Sequence, residues 1–231
     1  KNLKYKKYIA QGGDWGATIC NWLGYDHSAN CKAIHINCLT MRHPKGTINK
    51  KERAWEKRFA NDQIMQEGYR TIQATKPQTL AYSMNDSPVG VAAWILEKFY
   101  SWSDLKGGKI EKTYNKDILL TNIMIYLLTN TFNTSTWIYF GRREEGGRLF
   151  PKNFKKIKIP TGIAKFPKEM SEWPPKSYLD RIFEIQHWSE MKKGGHFAAL
   201  EEPDLLVKDL RKFLRGLRYD PYSHTGRGGS I

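Results

Sequence analysis

Acidic residues are the scarce charge in this chain: 23 Asp and Glu stand against 38 Lys and Arg, a formal net charge of +15. Such an imbalance invites a nucleic-acid reading. The basic residues are scattered, however, and no basic helix or recognised nucleic-acid motif accompanies them, so no nucleic-acid partner is expected. Clusters such as Lys4-Lys6-Lys7, Lys155-Lys156-Lys158 and Lys192-Lys193 read as solvated edges, and attraction to an anionic membrane surface stays open. Cysteine is scarcer still. Cys20, Cys31 and Cys38 are odd in number and lack metal-ligand spacing, which argues against a disulfide framework and a zinc motif. They read as buried thiols. No run is long and apolar enough to cross a bilayer, no secretory-leader pattern is present, and nothing repeats. With 231 residues and 40% hydrophobic content the chain can bury a substantial core.

Against these absences stands one dense local signal, Gly12-Gly13-Asp14-Trp15-Gly16. A strand-like run, Tyr8 to Gln11, precedes it, and a helix-like run, Ala17 to Leu23, follows. Small residue, any residue, candidate nucleophile, any residue, glycine is the strand-to-helix elbow of α/β-hydrolases. The turn demands unusual backbone angles, and the central side chain sits at a helix N-terminus, where negative charge is favoured. Here that side chain is a carboxylate, already ionised at neutral pH, so the chemistry suggested is covalent alkyl-ester formation rather than esterase action. Taken by itself, the same pentapeptide also fits a phosphate cradle or a plain turn.

Two further stretches complete the pattern. Gly194-Gly195-His196-Phe197 precedes an amphipathic helix opened by Pro203, with Leu206, Leu210, Phe213, Leu214 and Leu217 on one face. A histidine on a loop before the last helix is where this fold keeps its base, and the order nucleophile, acid, histidine is the order it uses. The acid belongs on a loop after a strand. Lys156 to Gly162 alternates like one and leads to Glu169; Glu172 is equally well spaced, and Asp180 fits less well.

The chain resembles the microsomal-type epoxide hydrolases, including the insect juvenile-hormone enzymes and bacterial relatives. The resemblance rests on Gln11 to Gly16, Gly68-Tyr69, Gln73 to Thr79, Asn85 to Gly90, Ile95 to Phe99, Leu119 to Asn122, Pro160-Thr161-Gly162, Phe166 to Glu169 and Gly194 to Pro203, in order from about residue 8 to about residue 215. It implies Asp14 as nucleophile, Glu169 as charge-relay acid, His196 as base, and Tyr69 and Tyr139 as the lid tyrosines that hold the epoxide oxygen, with Trp15 beside them. It implies an apolar epoxide as substrate, a vicinal diol as product, no metal or organic cofactor, and a detoxification-type hydrolase that is cytoplasmic or membrane-associated in a full-length parent. The family's His-Gly-x-Pro oxyanion loop and first strands are expected upstream of the elbow and are not in this sequence. The chain is therefore expected to be an N-terminally truncated fragment, with little activity alone and an open sheet edge. A haloalkane dehalogenase-like hydrolase and a non-catalytic binding protein of the same fold remain the alternatives.

The expected architecture is the C-terminal part of a three-layer α/β-hydrolase fold with a mostly parallel sheet and a helical lid. Residues 1–40 are read as core with the elbow, 41–150 as helical lid with breaks near Pro77, Pro88 and Gly107-Gly108, 151–218 as core with the acid and histidine loops, and 219–231 as a flexible tail.

Overall fold

The computed structural model describes residues 4–218; the expected tail, 219–231, lies outside the described residues. Four parallel strands lie in the order β1 (Tyr8–Gly12), β2 (Cys31–Ile36), β3 (Ile157–Lys165) and β4 (Phe183–Glu190). Helix α1 (Trp15–Asp26) links β1 to β2. β2 is buried on both faces at Ala33, Ile34, His35 and Ile36, as a strand covered on both sides must be, so it reads as a continuous rather than an alternating run. β1 pairs only with β2 among the described residues, and its Tyr8 and Ile9 side chains are exposed. β3 runs three residues beyond the stretch whose alternation marks it. Thr161 to Ala164 are buried one after another, so alternation is lost towards the end of the strand.

Seven helices lie between β2 and β3: α2 (Lys50–Gln66), α3 (Gly68–Thr75), α4 (Pro77–Asn85), α5 (Pro88–Ser101), α6 (Ile110–Thr113), α7 (Lys116–Leu128) and α8 (Phe132–Glu144). Two open on proline, whose missing N–H costs nothing in a first turn. Ser87 caps α5 by accepting from Gly90 N at 3.0 Å. This insertion has its own core of Leu80, Val91, Ile123 and Phe132. The sheet core is separate and includes Ile34, Ile36, Met41, Trp55, Ile163, Leu179 and Phe183.

Two devices fix the insertion on the sheet. Its ends pair, with Arg42 N donating to Arg148 O at 2.6 Å and Phe150 N to Arg42 O at 3.1 Å. Glu52 on α2 is fully buried, yet its carboxylate accepts from Ile48 N, Ser177 Oγ and Arg181 at 2.8 to 3.0 Å. Burial alone would raise its pKa; these donors outweigh it and lower the pKa. After β3 come α9 (Lys176–Leu179), β4, α10 (Ala198–Glu201) and α11 (Pro203–Arg218). On α11, Leu206 and Phe213 are buried as their spacing predicts, but Leu210, Leu214 and Leu217 are only half-buried. Asp209 takes the buried place, its carboxylate 3.0 Å from His35 Nε2 and 2.8 Å from His187 Nε2.

Candidate active site

β1 ends and α1 begins within three residues, which forces Asp14 into φ 46°, ψ −124°. A non-glycine residue there carries about 1–3 kcal/mol of strain that the surroundings must hold. The turn is possible because Gly12 lacks a side chain: a Cβ there would lie 2.2 Å from the Gly16 carbonyl carbon. A Cβ on Gly13 would meet the Asn37 amide at 2.7 Å, whereas one on Gly16 meets nothing within 4 Å. The glycines of the motif are thus unequal. Gly12→Ala is expected to cost at least about 2 kcal/mol through overpacking. Gly16→Ala, in the first turn of α1, should change stability by less than about 1 kcal/mol, in the stabilising direction. Denaturant midpoints of the two variants check this; equal losses would contradict it.

The turn holds the Asp14 carboxylate at the N-terminus of α1, its side chain 43% exposed and facing the insertion. His196 Nε2 lies 3.6 Å from Asp14 Oδ2, an ion-pair contact rather than a hydrogen bond. On the other side of the ring, His196 Nδ1 lies 2.7 Å from Glu169 Oε1. The other two acids lie elsewhere: Glu172 forms a bidentate pair with Arg58 on α2, and Asp180 pairs with Lys176. The loops carrying Glu169 and His196 are zipped together, Lys168 N donating to Gly194 O at 3.1 Å. Gly194 adopts φ 101°, a conformation that favours glycine.

Burial works against charge on His196, but its Asp14, Cys38 and Glu169 neighbours outweigh that and raise its pKa well above the ordinary histidine value. Cys38 is buried beside the pair, its thiol pushed up to about 11 by burial and by Glu169. Cys38, Glu169 and His196 are the group with metal-ligand proximity among the described residues. The His196–Glu169 hydrogen bond already occupies the imidazole Nδ1 there. All three cysteines are buried and unpaired.

Above Asp14, Tyr69 from α3 and Tyr139 from α8 meet edge to face, ring centroids 5.9 Å apart, and Tyr139 packs on Trp15 at 5.1 Å. Burial raises both phenol pKa values, with Asp14 adding to the effect, so both tyrosines keep their protons. The structure therefore brings Asp14, Trp15, Tyr69, Tyr139, Glu169 and His196 to one place.

It also shows residues that local motifs do not reveal. Glu201 accepts from the backbone N–H of Gly195 and Phe197, both at 2.9 Å, and of Asp104 at 2.7 Å. Trp102 O accepts from His196 N at 2.8 Å. Asp104 Oδ2 accepts from Gly194 N at 2.9 Å. The histidine loop is thereby latched to the end of α5. The one sequence signal for this latch is Glu201, five residues after His196, a spacing that has no general meaning.

No protein-family model matches the chain. Among curated proteins, Epoxide hydrolase 1 of Oryctolagus cuniculus is 36% identical over 235 residues, covering 92% of this chain and 52% of that protein. Epoxide hydrolase 1 of Sus scrofa is 35% identical over 234 residues, with the same coverage. The chain is homologous to the epoxide hydrolases. It spans about half the length of the curated relatives it matches. The crystal structure of juvenile hormone epoxide hydrolase from the silkworm Bombyx mori superposes on 94% of this epoxide-hydrolase homologue and 56% of that chain, with TM-score 0.80 and 26% identity. Its parallel sheet with covering helices is the α/β-hydrolase fold of those neighbours.

Proposed function

We propose that this chain carries the active site of an epoxide hydrolase that turns a small apolar epoxide and water into a vicinal diol. The observation that carries the reading is His196 set between the Asp14 and Glu169 carboxylates, with two protonated phenols facing Asp14. Asp14 attacks a ring carbon; the C–O bond breaks and its electron pair goes to oxygen, which takes a proton from Tyr69 or Tyr139. The phenol recovers its proton, through solvent, from His196. Ester formation has removed the Asp14 charge that favoured the imidazolium. Neutral His196 then takes a proton from water, and the hydroxide attacks the ester carbonyl. Trp15 N–H, unpaired within the helix at its first position, faces the developing oxyanion. The acyl C–O bond then breaks, the departing alkoxide takes the proton that the hydroxide brought, and the diol leaves Asp14 as carboxylate and His196 as imidazolium. Glu169 orients the imidazole and stabilises its charged form.

The helices of residues 41–150 act in this reading as the lid that supplies the tyrosines. Two indoles near the cavity are already engaged, Trp94 Nε1 donating to Gln73 and Trp102 Nε1 to Gln66, both at 2.8 Å. That favours phenol-held oxygen over an indole-held halide. The test is covalent. Brief exposure to an epoxide followed by peptide mass spectrometry should place an adduct on the peptide holding Asp14. An adduct on Asp26 or Asp86 instead would overturn the assignment.

A further inference from the structure

His196 is held by its backbone as well as by its ring. Four consecutive N–H groups of its loop find acceptors in turn. Gly194 N donates to Asp104 Oδ2, Gly195 N to Glu201 Oε2, His196 N to Trp102 O and Phe197 N to Glu201 Oε1, all at 2.8 to 2.9 Å. Glu201 Oε2 also accepts from Asp104 N at 2.7 Å, so one carboxylate joins the loop to the segment that follows α5. The two surfaces lie close. A Cβ on Gly195 would stand 2.5 Å from Trp102 O and 3.0 Å from Asp104 N.

This arrangement is costly. Glu201 is buried, and no lysine, arginine or histidine pairs with it among the described residues. Burial, with Asp104 adding to it, raises the Glu201 pKa although backbone N–H groups oppose the shift. An uncompensated buried acid is a poor source of stability. What its bonds do secure is position, because two of its three donors flank His196 in sequence. Glu169 fixes the rotation of the imidazole, not the place of the loop that carries it. A displacement of about 1 Å costs a catalytic group roughly a hundredfold in rate. The anchoring segment also touches the other half of the site. The Trp102 ring packs edge to face on Tyr69 at 5.2 Å and on His196 at 5.1 Å.

We infer that Glu201 and Asp104 are positioning residues for the second half-reaction: they seat His196 beside the Asp14 ester and tie that seat to the helical insertion that carries the tyrosines. The inference rests on the epoxide-hydrolase reading of the site.

Rapid quench separates alkylation of Asp14 from hydrolysis of the ester, and thermal midpoints report folding. Glu201→Gln keeps the side chain's volume but sets an amide N–H against a backbone N–H. It should leave alkylation within about threefold, since Asp14 needs no base, and slow hydrolysis about a hundredfold. Asp104→Asn loses the charge and keeps an acceptor for Gly194 N, so hydrolysis should stay near the parental rate. Asp104→Ala loses both and should slow hydrolysis about tenfold, the worth of one hydrogen bond. Parental hydrolysis in Glu201→Gln, equal slowing of both steps, or equal rates in the two Asp104 variants would overturn the inference. If Glu201→Gln does not fold, the Asp104 pair decides. If the parental chain forms no ester on Asp14, the proposed reaction falls, and NMR titration of the His196 ring then reads the seat alone. Asp104→Ala should move that titration down towards the ordinary histidine value while Asp104→Asn leaves it in place. Identical titrations in the two variants would overturn the positioning role.

Discussion

His196→Gln is expected to consume about one equivalent of epoxide per active site and then stop, with diol formation falling by several orders of magnitude. Asp14 needs no base for its attack, since a carboxylate at a helix N-terminus is already anionic. Water does need one, and His196 Nε2 lies 3.6 Å from the Asp14 carboxylate. Glutamine keeps polarity and approximate volume but cannot accept and return the proton. Glu169→Gln should give a milder form of the same defect, because the imidazole remains while its 2.7 Å carboxylate partner is lost. Rapid quench separates ester from diol. Steady diol release by His196→Gln would show that another base serves or that no ester forms.

The second large effect belongs to the first step. Replacing Tyr69 or Tyr139 by Phe removes one donor to the developing alkoxide and should slow alkylation roughly ten- to a hundredfold, about the worth of one transition-state hydrogen bond. Replacing both should nearly abolish it. The rings pack edge to face on one another, Tyr139 also on Trp15 and Tyr69 on Trp102, so Phe preserves the packing and the loss reports the hydroxyl alone. Ester formation at the parental rate in the double variant would make them packing residues.

The elbow and the histidine loop were legible because each is a local backbone problem with a local solution. Gly12 and Gly13 lie where a side chain would strike Gly16 or Asn37, and Gly194 lies at positive φ, so composition reports geometry. Glu169 and Glu172 could not be separated by spacing. What separates them is Arg58, more than a hundred residues earlier in the chain, which takes up the Glu172 carboxylate while Glu169 turns to His196. The latch of Glu201, Asp104 and Trp102 is invisible for the same reason: the contacts that tie the histidine loop to Asp104 and Trp102 cross 90 residues or more of sequence and each uses a backbone group. The spacing of leucines on α11 predicts an apolar stripe. The structure gives Asp209 a buried place on it because His35 and His187 supply partners that no periodicity announces. Arg70, Arg142, Arg143 and Arg148 line a cavity beside Asp14, and no local pattern singles them out in a chain rich in basic residues.

The central claim is that the oxygen added to the epoxide comes first from Asp14 and only later from water. A single turnover in ¹⁸O-labelled water, with enzyme in excess over epoxide, tests it most directly. Covalent attack by Asp14 gives an unlabelled diol and one ¹⁸O atom in the peptide containing Asp14. Label in the diol and none at Asp14 would show direct attack by water and contradict the covalent mechanism.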